Sequence, residues 1–437
     1  MVRMIPLRSG DASATIPARF RIPPRTVKFN LLRTLLAALT LPLVLAAQGH
    51  HKLLVISIDG LDARFFSDPA LKVKAPNIRR LMREGASATV VGVAPSETWP
   101  SDISLVTGVS PWQHGIIANG QTGKLKTPAL WDVAAKSGLT VATIYWPVTA
   151  DASVAFDFPE IRETRRADAI PFDAVAQKSR PAGIVDRIEK MFPSFQKQIW
   201  DDSNSVNAAT YLETVDKPDL ILVHLTEVDA EQHETTARSI YARDILETDD
   251  ELIGQMLAKV AKMAPGTIVA VVSDHGFENN NRVVRPRVML KQAGIKGRVE
   301  VADGLIGTQD PDVAAHLKKM VGQGRRSGIA REVPMAEVRA RAPALGRWVA
   351  AFDTLPDYVA SDEDRGPAVG PGTHLGAHLF WPTRPGYRAV FVLSGAGVHP
   401  VKLGEIDMLQ IAPTLAEVLG VKLPAAKSTS LWHAVSR

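Results

Sequence analysis

Five short runs of almost unbroken apolar residues punctuate the chain: Lys52–Ile58 (KLLVISI), Leu139–Tyr145, Asp219–Leu225 (DLILVHL), Thr267–Ser273 (TIVAVVS) and Arg388–Ser394 (RAVFVLS). Strands without a polar face must be covered on both sides, which is the habit of a parallel sheet between helices. Helical patterns fill the spaces. Pro76–Glu84 starts on a proline and stops before Gly85, as a short helix does. Ser101–Val106 reads as helical up to Gly108, Trp131–Ser137 as another helix, Thr236–Met263 as a long one and Glu405–Leu419 as a closing one. Alternating strands and helices predict an α/β fold: a three-layer sandwich with a mostly parallel central sheet. Residues 150–215 are less periodic and suit peripheral helices. Residues 286–372 turn to shorter elements, several glycines and an Arg-rich patch at Gly324–Arg326. They read as a small inserted α+β subdomain, leaving 48–285 and 373–437 as the main domain.

Polar residues at the ends of these runs carry the chemistry. Asp59 and Asp274 stand where two runs finish, and Asp229 lies just beyond a third. Ligands of open α/β sheets bind beyond the carboxyl ends of the strands. Asp229 and His233 are four residues apart, and so share a helix face. Asp274 and His275 are adjacent, and late histidines follow at His374 and His378. Three aspartates and three histidines without a thiolate suit two hard or borderline divalent ions. Such a pair beside a hydroxyl equips a site for phosphoryl or sulfuryl transfer. Thr98, in Ser96-Glu97-Thr98-Trp99-Pro100-Ser101, is the candidate hydroxyl. It also has the residue type of a helix cap, and a helix N-terminus suits a phosphate. Ser96 reads as a turn residue, His224 as a satisfied core residue and His114 as a turn-shaping one.

Composition narrows the classes. At 46% hydrophobic and 22% charged residues, disorder is not expected. The net charge of +5 comes from the start of the chain, where residues 1–47 hold seven Lys or Arg against Asp11. The remainder is near neutral, so binding to a nucleic-acid polymer is not expected. Arg25, Lys28 and Arg33 precede the apolar stretch Leu35–Ala47. That segment reads as a signal peptide, too short for a comfortable membrane span. It implies export to the periplasm or medium, with membrane contact only through an uncleaved leader. There is no cysteine, so no thiol nucleophile.

The ordered set Asp59-Gly60, Thr98-Trp99-Pro100, Leu105–Gly108, His114-Gly115-Ile116-Ile117 with Asn119, Asp229 with His233, and Ser273-Asp274-His275-Gly276 resembles the type I phosphodiesterase/nucleotide pyrophosphatase branch of the alkaline phosphatase superfamily. The resemblance covers roughly residues 52–422. It implies two zinc ions, with other divalent ions as substitutes. Asp59, Thr98, Asp274 and His275 match the ligands of one; Asp229, His233 and a late histidine match those of the other. The family pattern sets that histidine 17 residues before a glycine turn, which selects His378 with Gly395 over His374. Asn119 matches a residue that hydrogen-bonds a phosphate oxygen; by composition alone it is a turn residue before Gly120. The expected activity is hydrolysis of phosphodiester or phosphoanhydride bonds through a phospho-threonine, on a small phosphorylated substrate such as a nucleotide. A phosphomonoesterase or phosphonate hydrolase is the alternative on the same fold. A non-catalytic metal-binding envelope protein is the alternative of another class. The sulfatase signature is missing.

The chain departs from the family pattern at four places. Ser101 replaces Asn, and Trp99 replaces Phe beside the candidate nucleophile. Glu227-Val228-Asp229-Ala230-Glu231-Gln232-His233 lacks the usual Pro and Gly, and His378-Leu379-Phe380 replaces His-Gly-Tyr. These changes are expected to alter the substrate pocket around Trp99, Gln232 and Leu379 while sparing the ligands.

Overall fold

The five apolar runs become the five contiguous strands at the centre of an eight-stranded sheet. In this computed structural model the described residues are 51–436, without 122, 162–171, 194 and 196–199. The leader expected at residues 1–47 therefore lies outside them. The strands of the sheet are β1 (Leu53–Ile58), β2 (Ala86–Val91), β3 (Val141–Ile144), β4 (Phe156–Phe158), β5 (Leu220–Leu225), β6 (Ile268–Val272), β7 (Ala389–Ser394) and β8 (Val401–Asp407). Their order is β8-β2-β7-β6-β1-β5-β3-β4. β7 runs antiparallel to both of its neighbours, and every other pair is parallel.

Alternation along each strand divides the core in two. Leu54, Ile56, Ile221, Val223 and Val271 face one side. Leu53, Val55, Leu220, Leu222 and Ala270 face the other. Six helices matter here: α1 (Pro76–Glu84), α2 (Thr98–Thr107), α3 (Asp202–Thr214), α4 (Glu227–Glu234), α5 (Ile240–Met263) and α6 (Ile411–Val418). α1, α3, α4 and α5 cover the first face through Ile78, Leu212, Val228 and Leu246. α2 and α6 cover the second through Ile103 and Leu415. The result is the expected three-layer α/β sandwich, with strands buried on both sides as their sequence demands.

The closing helix is shorter than expected. Residues 405–407 belong to β8, a half-exposed edge strand, and the helix starts at Ile411. An edge strand alternates polar and apolar residues where its outer side meets water, which blurs its signal. The helix expected from Ser101 begins three residues earlier, with Thr98 itself in its first turn.

A second, four-stranded antiparallel sheet is made from Glu300–Ala302, Leu305–Thr308, Ile329–Val333 and Ala350–Thr354. It has its own core around Ile306, Leu317 and Phe352. Arg384, in the loop before β7, ties it to Glu278, in the segment that follows β6. Its guanidinium donates to Asp353 at 2.6 and 3.1 Å, to Glu278 at 3.0 Å and to the Thr354 hydroxyl at 2.6 Å, all buried. Burial opposes this charge, yet Asp353 and Glu278 hold it protonated. Replacing one partner of a buried ion pair leaves the others uncompensated. Arg384→Met should therefore lower unfolding free energy by about 3–5 kcal/mol in urea denaturation. A loss under about 1 kcal/mol would show that water reaches the site.

Candidate metal centre

β5, β1 and β6 are neighbours, so their carboxyl ends lie side by side. Asp59 directly follows β1, Asp274 follows β6 by two residues, and α4 with Asp229 follows β5. Gly60 makes the turn after Asp59 at φ +64, a left-handed conformation natural to glycine. Its N–H donates to Asp274 Oδ1 at 2.9 Å. A side chain there would press on the Phe277 ring at 3.0 Å. The loop after β6 is held by a buried clamp. Asp62 accepts from the Phe277 N–H at 2.9 Å, and Arg64 and Arg238 both donate to the Phe277 carbonyl.

The ligand candidates converge without satisfying one another. His275 Nε2 is 2.9 Å from Asp274 Oδ2 and 3.5 Å from Asp59 Oδ1. None of these three atoms has a hydrogen-bond partner, although all are buried. Atoms that share a space but are misaligned for hydrogen bonding suit a common ion. One ligand atom each from Asp59, Asp274 and His275 lies within 4.8 Å of the others, and the same holds for Asp229, His275 and His378. His275 therefore stands between the two groups. His233 Nε2 approaches Asp229 Oδ2 at 3.4 Å across one turn of α4. The rings of His233 and His378 are 4.9 Å apart. Outer partners fix both rings: His233 Nδ1 faces the Gly376 carbonyl at 3.3 Å and His378 Nδ1 the Ser96 carbonyl at 3.2 Å. With Nδ1–H donating, each Nε2 is left as an acceptor, the arrangement of metal-ligating imidazoles. His374 lies outside the cluster, exposed and 3.2 Å from Asn281.

Electrostatics describe the same crowding. Burial, then the charges of Asp229 and Asp274, push the Asp59 carboxyl well above the ordinary range. Burial also opposes ionisation of Asp274, but His275 and the hydrogen bond from Gly60 outweigh it and hold this carboxyl low. Burial, with His275 and His233 beside it, keeps His378 well below the usual imidazole range and so neutral. These donors are the hard and borderline set that binds zinc or similar divalent ions.

Thr98 and Asp102 share the underside of α2, one turn apart. Asp102 accepts from the Ser57 hydroxyl at 3.0 Å and lies 3.5 Å from His224. His224 Nε2 is in turn 3.4 Å from Asp59 Oδ2. Expected as a satisfied core residue, His224 is fully buried and also lies against the centre, as does Asp102. The signal was there: a lone imidazole in a wholly apolar strand, level with Ser57 on the neighbouring β1. Asn119 Oδ1 accepts from the Trp99 N–H at 2.8 Å, next to Thr98. His114 is buried, with Nε2 3.1 Å from the Pro100 carbonyl.

One expectation about the pocket needs revision. Gln232 does not line it: the side chain is fully buried, donates to the Gly60 carbonyl at 3.0 Å and accepts from the Arg238 N–H at 3.0 Å. Trp99 is largely buried and donates from Nε1 to Glu160 at 2.7 Å, at the wall of a cleft of about 520 Å³. Leu379 is partly exposed, at φ +68.

A mostly parallel α/β sandwich with carboxylates and imidazoles gathered at its strand ends defines an alkaline phosphatase-like protein. The type I phosphodiesterase/nucleotide pyrophosphatase model matches residues 53–346, and the chain belongs to that family. It is 24% identical to an uncharacterized pyrophosphatase/phosphodiesterase of Schizosaccharomyces pombe, over 87% of this chain and 79% of the yeast protein. It is 22% identical to rat ectonucleotide pyrophosphatase/phosphodiesterase family member 3, over 52% of this chain but 25% of the rat protein. The fold matches murine ectonucleotide pyrophosphatase/phosphodiesterase 5, solved as an inactive variant in complex with AMP, with a TM-score of 0.60 at 16% identity. That match covers 88% of this chain and all of the murine one.

If the repelling carboxylates hold cations, Asp59→Asn should have opposite effects with and without metal. With chelator, the variant should be more stable than wild type by on the order of 1 kcal/mol, the worth of one pKa unit. With zinc, the rise in melting temperature should shrink sharply relative to wild type. Differential scanning calorimetry in both conditions checks this; an undiminished zinc response would remove Asp59 from the ligand set.

Proposed function

We propose that the protein hydrolyses phosphodiester or phosphoanhydride bonds of a small phosphorylated substrate, with Thr98 as nucleophile. The observation that carries this reading is the convergence of Asp59, Asp229, Asp274, His275 and His378 at the strand ends, with α2 starting at Thr98 tied to them through Asp102 and Ser96. Asp59, Thr98, Asp274 and His275 would hold one zinc ion, and Asp229, His233 and His378 a second. Bound there, two divalent ions would acidify a hydroxyl and neutralise charge on the phosphoryl oxygens.

The chain's own residues supply the rest. The Thr98 hydroxyl attacks phosphorus in line, the bond to the leaving oxygen breaks, and a phospho-threonine forms. Water then cleaves the phosphorus–threonine bond and restores Thr98. The N-terminus of α2 offers the Thr98 N–H and a positive dipole end to the phosphoryl oxygens; the Trp99 N–H is taken by Asn119 and Pro100 has none. Asn119, anchored through Oδ1 to the Trp99 N–H, has its amide NH₂ left to donate to one of them. The cleft beside Trp99 and Trp131 offers aromatic walls for a base or aryl group. The AMP bound by the murine relative is consistent with a nucleotide in that role. Among the described residues no helix is long and apolar enough to cross a membrane. An exported location rests on the leader at residues 1–47.

A monoesterase is the second reading, because Lys124 and Lys126 line the same cleft. A cation there could meet the extra charge of a phosphate monoester. An aryl phosphodiester and the matching monoester, assayed with added zinc, separate the two. The diester should turn over faster. Thr98→Ala should lower diester turnover by about a thousandfold or more. Asn119→Ala should cost about 10²–10³ in kcat, as for loss of one oxyanion donor. Undiminished turnover by Thr98→Ala would sink the nucleophile assignment, and preference for the monoester would sink the diesterase reading.

A further inference from the structure

Behind the candidate centre, three more carboxylates meet where α3, α4 and α5 come together. Asp202, in the first turn of α3, accepts from the N–H groups of Thr226 at 2.8 Å and Glu227 at 3.0 Å. It thus caps α4 from outside. Glu227 opens α4 and accepts from the Asp202 N–H at 3.4 Å. Asp249 projects from the middle of α5 and is 1% exposed. One oxygen from each of the three lies within 4.8 Å of the others.

Asp249 is the anomaly. Its neighbour Asp250 is buried for an evident reason, since it accepts from the N–H groups of Asn77 and Ile78 at the start of α1. Among the described residues Asp249 Oδ2 has no hydrogen-bond donor. Among the described residues no Lys or Arg forms an ion pair with Asp202, Glu227 or Asp249. Burial pushes the Asp249 carboxyl up, and Asp202, Glu227, Asp201 and Asp250 push it further. An isolated buried carboxylate is costly unless something positive or a proton joins it. Asp201 and Glu227 are only half-buried and give the cluster a wet edge.

We infer that Asp202, Glu227 and Asp249 form a separate binding site for a hard divalent cation, calcium or magnesium. Its donors are all oxygens, without imidazole, which distinguishes it chemically from the zinc-type centre. Oxygens bound to one calcium at about 2.3–2.6 Å stand no more than about 5 Å apart, a limit the cluster meets. Water at the wet edge would complete the shell. Because Glu227 lies two residues before Asp229, the ion would fasten the first turn of the helix that presents Asp229 and His233.

The test reads binding rather than hydrolysis, so it stands apart from the proposed activity. Wild-type protein is saturated with zinc and equilibrated with calcium or magnesium. It is then exchanged into metal-free buffer, and its metal content is measured by plasma mass spectrometry. The expected result is one equivalent of calcium or magnesium per chain beyond the zinc. A melting temperature that rises by several degrees with the added cation is also expected. Terbium luminescence excited through the buried Trp200, two residues from Asp202, should appear and be competed away by calcium. Asp249→Asn should lose the extra equivalent and the luminescence. If wild type retains no hard cation and its melting temperature does not respond, the cluster holds protons and the inference is wrong. Equal cation content in wild type and Asp249→Asn overturns it as well. Should Asp249→Asn fail to fold, the wild-type measurements decide alone.

Discussion

Parallel pairing of β5, β1 and β6 is the constraint on which the rest of the protein depends. Neighbouring strands lie about 4.8 Å apart, and parallel ones end on the same side. An acid at or just past the end of each must therefore share one small volume with the others. Asp59, Asp229 and Asp274 do so, and burial makes their repulsion expensive. No rearrangement of side chains relieves it while the registers Leu53↔Leu220 and Leu53↔Ile268 hold. The hydrophobic faces of these strands set those registers, since a shift by one residue would turn each apolar set to the wrong layer. The core thus enforces the charge crowding that makes the site.

Holding such a site in shape takes a second layer of polar contacts, and most of them point at loops rather than at ligands. Arg64 and Arg238 secure the carbonyl of Phe277, and Asp62 secures its N–H. The Asp274–His275 turn is thereby braced through the backbone of Phe277. Gln232 shows how a departure from the family pattern can be absorbed. Where the family has glycine, this chain inserts a long amide, and both of its ends are taken up by the backbone at Gly60 and Arg238. The change alters the bracing under Asp59 and leaves the pocket wall alone. Trp99 lines the cleft, whereas Leu379 is exposed outside its lining.

Much of this was legible in the sequence because the signals were strong and local. Doubly buried strands have to read as apolar runs, and the acids that interrupt them stand out. Asp59, Asp274, Asp229 and His233 were visible for that reason. His378 needed the family pattern, since nothing local separates it from His374; only the fold brings Ser96 to its Nδ1. His224 and Asp102 were passed over because their meaning is relational. A histidine inside an apolar strand looks like any satisfied core residue until β1 sets Asp59 beside it. The start of the last helix was misjudged for the converse reason. β8 is an edge strand with half its residues exposed, so its polar positions mimic a helical face.

Several buried acids in this chain show how charge is handled in scaffold and site. Asp250 is neutralised by a helix N-terminus, as its bonds to Asn77 and Ile78 show. Asp62 and Asp353 are neutralised by arginines. Both devices are complete within the protein and need nothing from solution. Asp59 Oδ1, Asp274 Oδ2 and Asp249 Oδ2 have no hydrogen-bond partner. Other buried carboxyl oxygens, Glu213 Oε2 and Asp303 Oδ2 among them, also lack a partner, but they do not converge with two further ligand atoms as these do. Leaving them open costs stability, which a proton or a bound cation would recover. Convergence of three ligand atoms, rather than a missing partner alone, therefore separates these two clusters from the scaffold acids.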